Sequence, residues 1–94
     1  MKKSLLQSSK ECYITKVNEG LHRHHIFYGT GNRKNSDRYG LWVWLIPRLH
    51  NIGTGSIHGG NWKLDLKLKR EAQTAFEEKY SHDKFMQVFG ENYL

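Results

Sequence analysis

The first half of the chain alternates short apolar and polar stretches in the way that β-strands do. "CYITKV" (12–17) and "LHRHHIFY" (21–28) are short β-prone segments, and "NEG" between them is typical of a turn. "LWVWLI" (41–46) is a continuous aromatic and β-branched segment, which predicts a buried strand. Pro47 ends this strand and can begin a helical turn. Residues 1–11 are mostly polar, so we expect them to be flexible.

The second half has a helical period instead. Apolar residues recur every four positions between 63 and 80, while Lys and Glu fill the other faces: Leu64, Leu68, Ala72, Phe76 and Tyr80. Ser81 can cap a last short helix, "HDKFMQVF", which should stop at Gly90. Two helices are therefore predicted at the carboxyl end.

Two glycine-rich segments separate these elements. "GTGNRKNSDRYG" (29–40) holds almost nothing apolar and predicts a long loop between strands, and residues 52–60 predict a second loop. The resulting order is strand, strand, long loop, strand, loop, helix, helix. A chain of 94 residues has no room for a second core. The pattern therefore predicts one small α+β domain over residues 1–94.

Charge and cysteine content narrow the class of protein. The formal net charge is +6 and the sequence pI is about 9.6, which favours a polyanionic partner such as nucleic acid, although basic surfaces without such a partner are common. A single cysteine, Cys12, excludes an internal disulfide and a multi-cysteine zinc site, and fits a reducing cytoplasm. The first ten residues are not typical of a signal peptide, and no apolar segment approaches the ~20 residues that span a bilayer.

Four histidines are candidates for a metal site. His24 and His25 lie on one predicted strand, and His50 and His58 follow the next, so all four can converge at one end of the sheet. Neutral imidazole is a common ligand of transition metals. Adjacent strand residues face opposite ways, so we expect one of the pair to bind metal and the other to have a separate task. Alternatively, the histidines are scattered or hydrogen-bonded core residues. His22 and His82 lie outside the pattern and are expected at the surface.

The stretch "HHIFYGTG…YGLWVWLIPRLHNIGTGSIH" (24–58) resembles the HNH nucleases, the ββα-metal group, and is most similar to small phage-encoded members. The "AQTAFEEKY" segment and the "FGENYL" end also resemble the carboxyl end of such phage proteins. The resemblance covers roughly residues 12–94. It implies a ββα-metal domain and DNA hydrolysis.

The resemblance also implies a role for each histidine. His25 matches the general base, while His24, His50 and His58 match the ligands of one divalent metal ion. A fourth coordination position would then be open for water and phosphate. With nitrogen ligands alone, the site should prefer Zn, Mn, Ni or Co over Mg.

Basic side chains around these segments are candidates for contacts with DNA phosphates: Arg23, Arg33, Lys34, Arg38 and Arg48. The chain also departs from the family pattern. Ile46 and Leu49 stand where many members have a cysteine pair for structural zinc, and the usual asparagine of the second strand is missing. Asn51 or Asn35 could support the site in its place.

Three functions remain open at this level. The first is a metal-dependent DNA endonuclease of phage origin, acting in the host cytoplasm. The second is a non-catalytic nucleic-acid-binding protein in which metal stabilises the fold, and the third is a small basic partner of a phage recombination or packaging complex. A three-histidine site with an open position would favour the enzyme, and a closed four-ligand shell would favour the structural role.

Overall fold

Two short strands and four helices make up the part of the chain that the computed structural model describes, residues 2–94. In chain order they are β1 (His22–His25), α1 (Asn32–Tyr39), β2 (Trp42–Leu45), α2 (Pro47–His50), α3 (Trp62–Lys79) and α4 (His82–Phe89). The fold belongs to the α+β class, as predicted. No helix within residues 2–94 is long and apolar enough to cross a membrane.

The two strands form an antiparallel sheet whose register decides which side chains share a face. His22 pairs with Leu45, and His25 pairs with Trp42. Because paired residues point to the same side, one face carries Arg23, His25, Trp42 and Trp44, and the other carries His22, His24, Val43 and Leu45. We call the first the outer face. His24 and His25 therefore point in opposite directions, as predicted.

Residues 29–40 contain helix α1, so the prediction of a long loop there was wrong. The helix was missed because it has no apolar stripe, and its one buried residue is Ser36. The Ser36 hydroxyl donates to the carbonyl of Phe27 (2.6 Å) and accepts from its N–H (3.1 Å). Gly40 ends the helix in the left-handed conformation, where a Cβ would collide with the Lys3 carbonyl.

Residues 12–17 form a closed turn, although their composition predicted a strand. The N–H of Cys12 donates to the carbonyl of Val17 (2.7 Å), and the N–H of Lys16 donates to the carbonyl of Cys12 (2.9 Å). Lys16 has a φ of 67°, which a strand does not allow. Local backbone bonds therefore prevail over the β-propensity of the side chains.

The sequence predicts flexibility at residues 1–11, of which residue 1 lies outside the described residues. Residues 2–11 run along β2 and form hydrogen bonds with its backbone. The Ser4 hydroxyl donates to the carbonyl of Trp42 (2.6 Å), and Gln7 Oε1 accepts from the N–H of Trp44 (2.7 Å). Polar side chains thus satisfy backbone groups at the edge of the sheet.

The predicted carboxyl-terminal helices are confirmed within one residue at each end. The side chain of Asn61 caps α3, Ser81 caps α4, and Gly90 ends α4 in the left-handed conformation. Their apolar faces pack on the sheet and on the segment after β1, and form one core with these largest members: Ile26, Phe27, Leu41, Val43, Leu45, Leu68, Phe76 and Phe85. The histidines of β1 lie beside this core.

Candidate metal centre

Three histidines meet at one end of the sheet. His24 comes from β1, His50 from the end of α2, and His58 from the loop that follows. Each offers a ring nitrogen, and these three atoms all lie within 4.8 Å of one another. The ring centroids of His50 and His58 are 4.9 Å apart, and those of His24 and His50 are 5.3 Å apart. This cluster could hold a metal ion.

Backbone hydrogen bonds bring the loop histidine to the others. Only Ile46 separates the end of β2 from Pro47, which begins α2, so His50 lies one helical turn beyond Ile46. The N–H of Ile57 then donates to the carbonyl of Leu49 (2.8 Å), and the N–H of His58 donates to the carbonyl of His50 (3.1 Å). The loop between them folds back on itself, which places the two imidazoles side by side.

His24 has the chemistry expected of a metal ligand. Its side chain is only 1% exposed, and neither ring nitrogen has a hydrogen-bond partner in the described part of the chain. Burying a polar group without a partner is costly, so such groups are rare in folded proteins. Burial, then the neighbouring His50 and His58, lower the pKa of His24 to about 3. The ring is therefore neutral and keeps a lone pair, and the site fits a metal ion.

His22 lies beside this cluster, so the expectation that it belongs to the surface was wrong. It is half-buried, and its Nδ1 is 3.1 Å from Nδ1 of His50. At this distance His22 can either hydrogen-bond the second ring nitrogen of a ligand histidine or supply a further imidazole to the site. Burial, then His58 and His22, lower the pKa of His50 to about 4. By contrast, His82 is exposed as expected.

His25 faces away from the buried histidine and forms a pair with an acidic residue of α1. Its Nε2 lies 2.9 Å from Oδ1 of Asp37, which also accepts a bond of 2.8 Å from Nη2 of Arg23. A carboxylate only accepts hydrogen bonds, so Nε2 of His25 is the donor. Asp37 was not predicted from the sequence. The available indication was that it is the one acidic residue in the otherwise basic segment 29–40.

A cavity of about 370 Å³, which we call the histidine cavity, lies between His25 and two members of the cluster, His50 and His58. It is lined by His25, Tyr28, His50 and His58 together with Arg23, Arg33 and Asn51. Two of the predicted phosphate contacts thus border the histidine cavity. The other three are exposed and do not line it: Lys34, Arg38 and Arg48.

The two candidate asparagines have different positions. Asn51 lines the histidine cavity, next to His50. The amide of Asn35 lies 3.5 Å from the carbonyl of Val88 and so points towards α4. Asn51 is therefore the asparagine that can support the site.

Tyr28 closes one side of the cavity and was not predicted. Its ring centroid lies 5.1 Å from that of His58, and its hydroxyl donates to Oδ1 of Asp65 (3.0 Å). Lys69 bonds to the other carboxylate oxygen of Asp65 (2.9 Å) and lies 4.6 Å from the centre of the Tyr28 ring. Burial, with the charge of Asp65, raises the pKa of Tyr28 to about 12. The phenol therefore stays protonated at neutral pH.

The chain was compared with known proteins. No protein family model, no curated protein and no solved structure matches it. Its function therefore has to be inferred from the histidine cluster, the cavity and the charges around them.

Proposed function

We propose that this chain is a metal-dependent DNA endonuclease of the HNH type, which hydrolyses phosphodiester bonds. One observation carries the proposal: His50 and His58 of the three-histidine cluster line the same basic cavity as His25, which bonds to Asp37. A metal site next to an oriented histidine base and arginines is what hydrolysis of a phosphodiester needs.

The three clustered histidines would hold one divalent ion. Three protein ligands leave a position for water or phosphate, which is the arrangement of catalytic rather than structural sites. Nitrogen ligands favour Zn, Mn, Ni or Co over Mg. When bound, the ion supplies positive charge that stabilises the oxygen leaving from the phosphorus.

His25 acts as the general base in this proposal. Because its Nε2 donates to Asp37, Nδ1 carries the lone pair and can take the proton of the attacking water. Asp37 fixes the ring and balances the positive charge that His25 acquires, as the carboxylate does in a histidine–aspartate pair of other hydrolases. Arg23 and Arg33 at the cavity bind the phosphate, and the exposed Lys34, Arg38 and Arg48 can contact flanking phosphates.

A second function is a nucleic-acid-binding protein in which metal only stabilises the fold. The approach of His22 to His50 favours it, since a fourth imidazole 3.1 Å from a ligand could close the coordination shell. The open cavity beside His25 and Asp37 favours the enzyme.

The two functions are separated by metal analysis together with plasmid nicking. We expect one metal ion per chain, cleavage that stops on chelation and returns with Mn²⁺ or Zn²⁺, and a melting temperature several degrees lower without metal. A bound metal without any nicking would support the structural role. If complete chelation leaves the melting curve unchanged, the chain has no metal site.

A further inference from the structure

A second cavity, of about 510 Å³, lies against the outer face of the sheet. Its floor is formed by Trp42 and Trp44, and its rim is formed by residues 3–10, which include Lys3 and Lys10. We call it the tryptophan cavity. Nothing in the proposed chemistry of the histidines uses it.

The tryptophan cavity combines aromatic rings with positive charge. The ring centroids of Trp42 and Trp44 are 5.3 Å apart with the planes almost perpendicular (88°). The ammonium of Lys10 lies 4.9 Å from the centre of the Trp44 ring, and the guanidinium of Arg23 lies 5.0 Å from that of Trp42. The described lining includes no acidic side chain. Its charge is therefore complementary to an anionic ligand.

Arg23 connects the tryptophan cavity to the histidine cavity. It lies over the Trp42 ring, bonds to Asp37 beside His25, and also lines the histidine cavity. The register places His25 opposite Trp42, on the same face of the sheet. If a phosphate of a DNA strand lay at His25, the adjoining nucleotide of that DNA strand would thus reach the tryptophans.

We propose that the tryptophan cavity binds an unpaired nucleotide of a single DNA strand next to the phosphate that is cut. This inference rests on the proposed function, because it takes DNA as the ligand. Every base has a flat aromatic face that can stack on tryptophan, whereas bases inside a duplex are already stacked. Lys3 and Lys10 meet the phosphates of the same strand. The preferred substrate would then be single-stranded or branched DNA rather than intact duplex.

The test compares two tryptophans that each have a lysine over the ring. Trp44 lines the cavity, while Trp62 is 66% exposed on α3 with the ammonium of Lys63 5.7 Å from its ring centre. Affinity for a thymidine oligonucleotide is measured by fluorescence anisotropy on metal-loaded protein that carries His25→Ala, so that the strand is not cut. Trp44→Ala should lower the affinity roughly five- to hundredfold. Trp62→Ala should change it by no more than about twofold.

Two further variants distinguish loss of the ligand contact from a folding defect. Trp44→Phe retains a stacking ring and should recover most of the affinity, which a folding defect would not allow. Lys10→Gln tests the same cavity without touching the sheet and should weaken binding and its dependence on salt.

The inference would be overturned if Trp44→Ala and Trp62→Ala had equal effects, or if the protein bound the oligonucleotide and its duplex with equal affinity. A cavity that binds a peptide instead of a nucleotide would give these same results. The proposed nuclease function fails separately, when parental protein loaded with metal does not nick plasmid. Loss of oligonucleotide binding in Trp44→Ala would support the tryptophan cavity even then.

Discussion

His24 and His25 are neighbours in the chain but lie in different chemical environments. His24 points to the buried side of the sheet and has no hydrogen-bond partner within residues 2–94, while His25 points to the outer face and bonds to Asp37. The alternation of side chains along a strand separates the two environments by a single peptide unit. Substitutions of His24 and His25 should therefore remove different properties of the protein.

We expect His25→Ala to keep its metal and its fold but to lose cleavage by roughly 10²–10⁴-fold, the usual contribution of general base catalysis. His24→Ala should lose metal, stability and activity together, because it removes a ligand. Metal stoichiometry and nicking rate are measured on the same preparations, with the exposed His82→Ala as control. If His25→Ala lost the metal while His24→Ala kept both metal and activity, the roles of ligand and base would be reversed between the two histidines. Parental cleavage by both would exclude the nuclease.

Asp37→Asn should slow cleavage without changing metal content. The substitution keeps the shape of the side chain but removes the charge that orients His25 and balances its protonated form. The loss should approach the roughly 10²–10⁴-fold expected for removing the base itself, because an amide can hold the imidazole in the wrong tautomer. Asp83→Asn on the exposed first turn of α4 is the matched control. If Asp37→Asn nicks plasmid as fast as the control, Asp37 does not act through His25.

At the scale of elements, the helices that bury an apolar face could be predicted from the sequence, and the helix without one could not. Helix α3 was predicted from its four-residue apolar period, and α4 from its cap Ser81 and its stop at Gly90. Helix α1 was missed because a polar residue, Ser36, attaches it to the core, and periodicity cannot show that. The convergence of histidines was predicted from their positions at strand ends, and the set of His24, His50 and His58 from the resemblance. Asp37 could not be placed while its helix was taken for a loop.

Ser36→Ala should destabilise the protein by roughly 1–3 kcal/mol, because it leaves the buried N–H and carbonyl of Phe27 without their partner. The free energy of unfolding is measured by urea titration, with Ser8→Ala as the control at an exposed position. A similar midpoint for both variants would mean that the Ser36 bonds do not hold α1. Since α1 carries Asp37, the cleavage rate of Ser36→Ala should also fall.

At the scale of the whole molecule, burial of neutral histidines links folding to pH. The pKa is lowered to about 3 for His24 and to about 4 for His50, against 6.5 for a free histidine. As the pH falls below 6.5, the unfolded chain takes up protons that the folded chain does not. The contribution of these two neutral histidines to the free energy of unfolding is therefore fully present above pH 6.5. It is lost progressively as the pH falls towards the pKa values of the folded protein.

We expect the melting temperature of the metal-free protein to fall between about pH 7 and pH 5, before most carboxylates titrate. His24→Gln should reduce this dependence, since the substituted residue does not titrate. Thermal unfolding in the presence of a chelator is the measurement. An equally steep decline in His24→Gln would assign the effect to other groups.

The basic character of the molecule could be predicted from composition, but its distribution could not. Only two of the five predicted phosphate contacts, Arg23 and Arg33, border the histidine cavity. The tryptophan cavity depends on residues 3–10 lying along β2, which needs the side chains of Ser4 and Gln7 to bond to the strand backbone. Such long-range contacts leave no periodic trace in the sequence.

The pairing of β1 with β2 covers only four residues, and both histidine environments depend on it. A slip of one residue would exchange the two faces of β1, so that His25 would point at His50 and His58 while His24 met Asp37. So short a ladder specifies its alignment weakly, and both alignments place an imidazole of β1 beside His50 and His58, so a metal ion alone would not select between them. The slip is opposed instead by Arg23, because it would turn the charged guanidinium away from Asp37 and the Trp42 ring and towards the buried side of the sheet. The alignment that gives each histidine its environment therefore depends on the arginine that lies between them and the tryptophans.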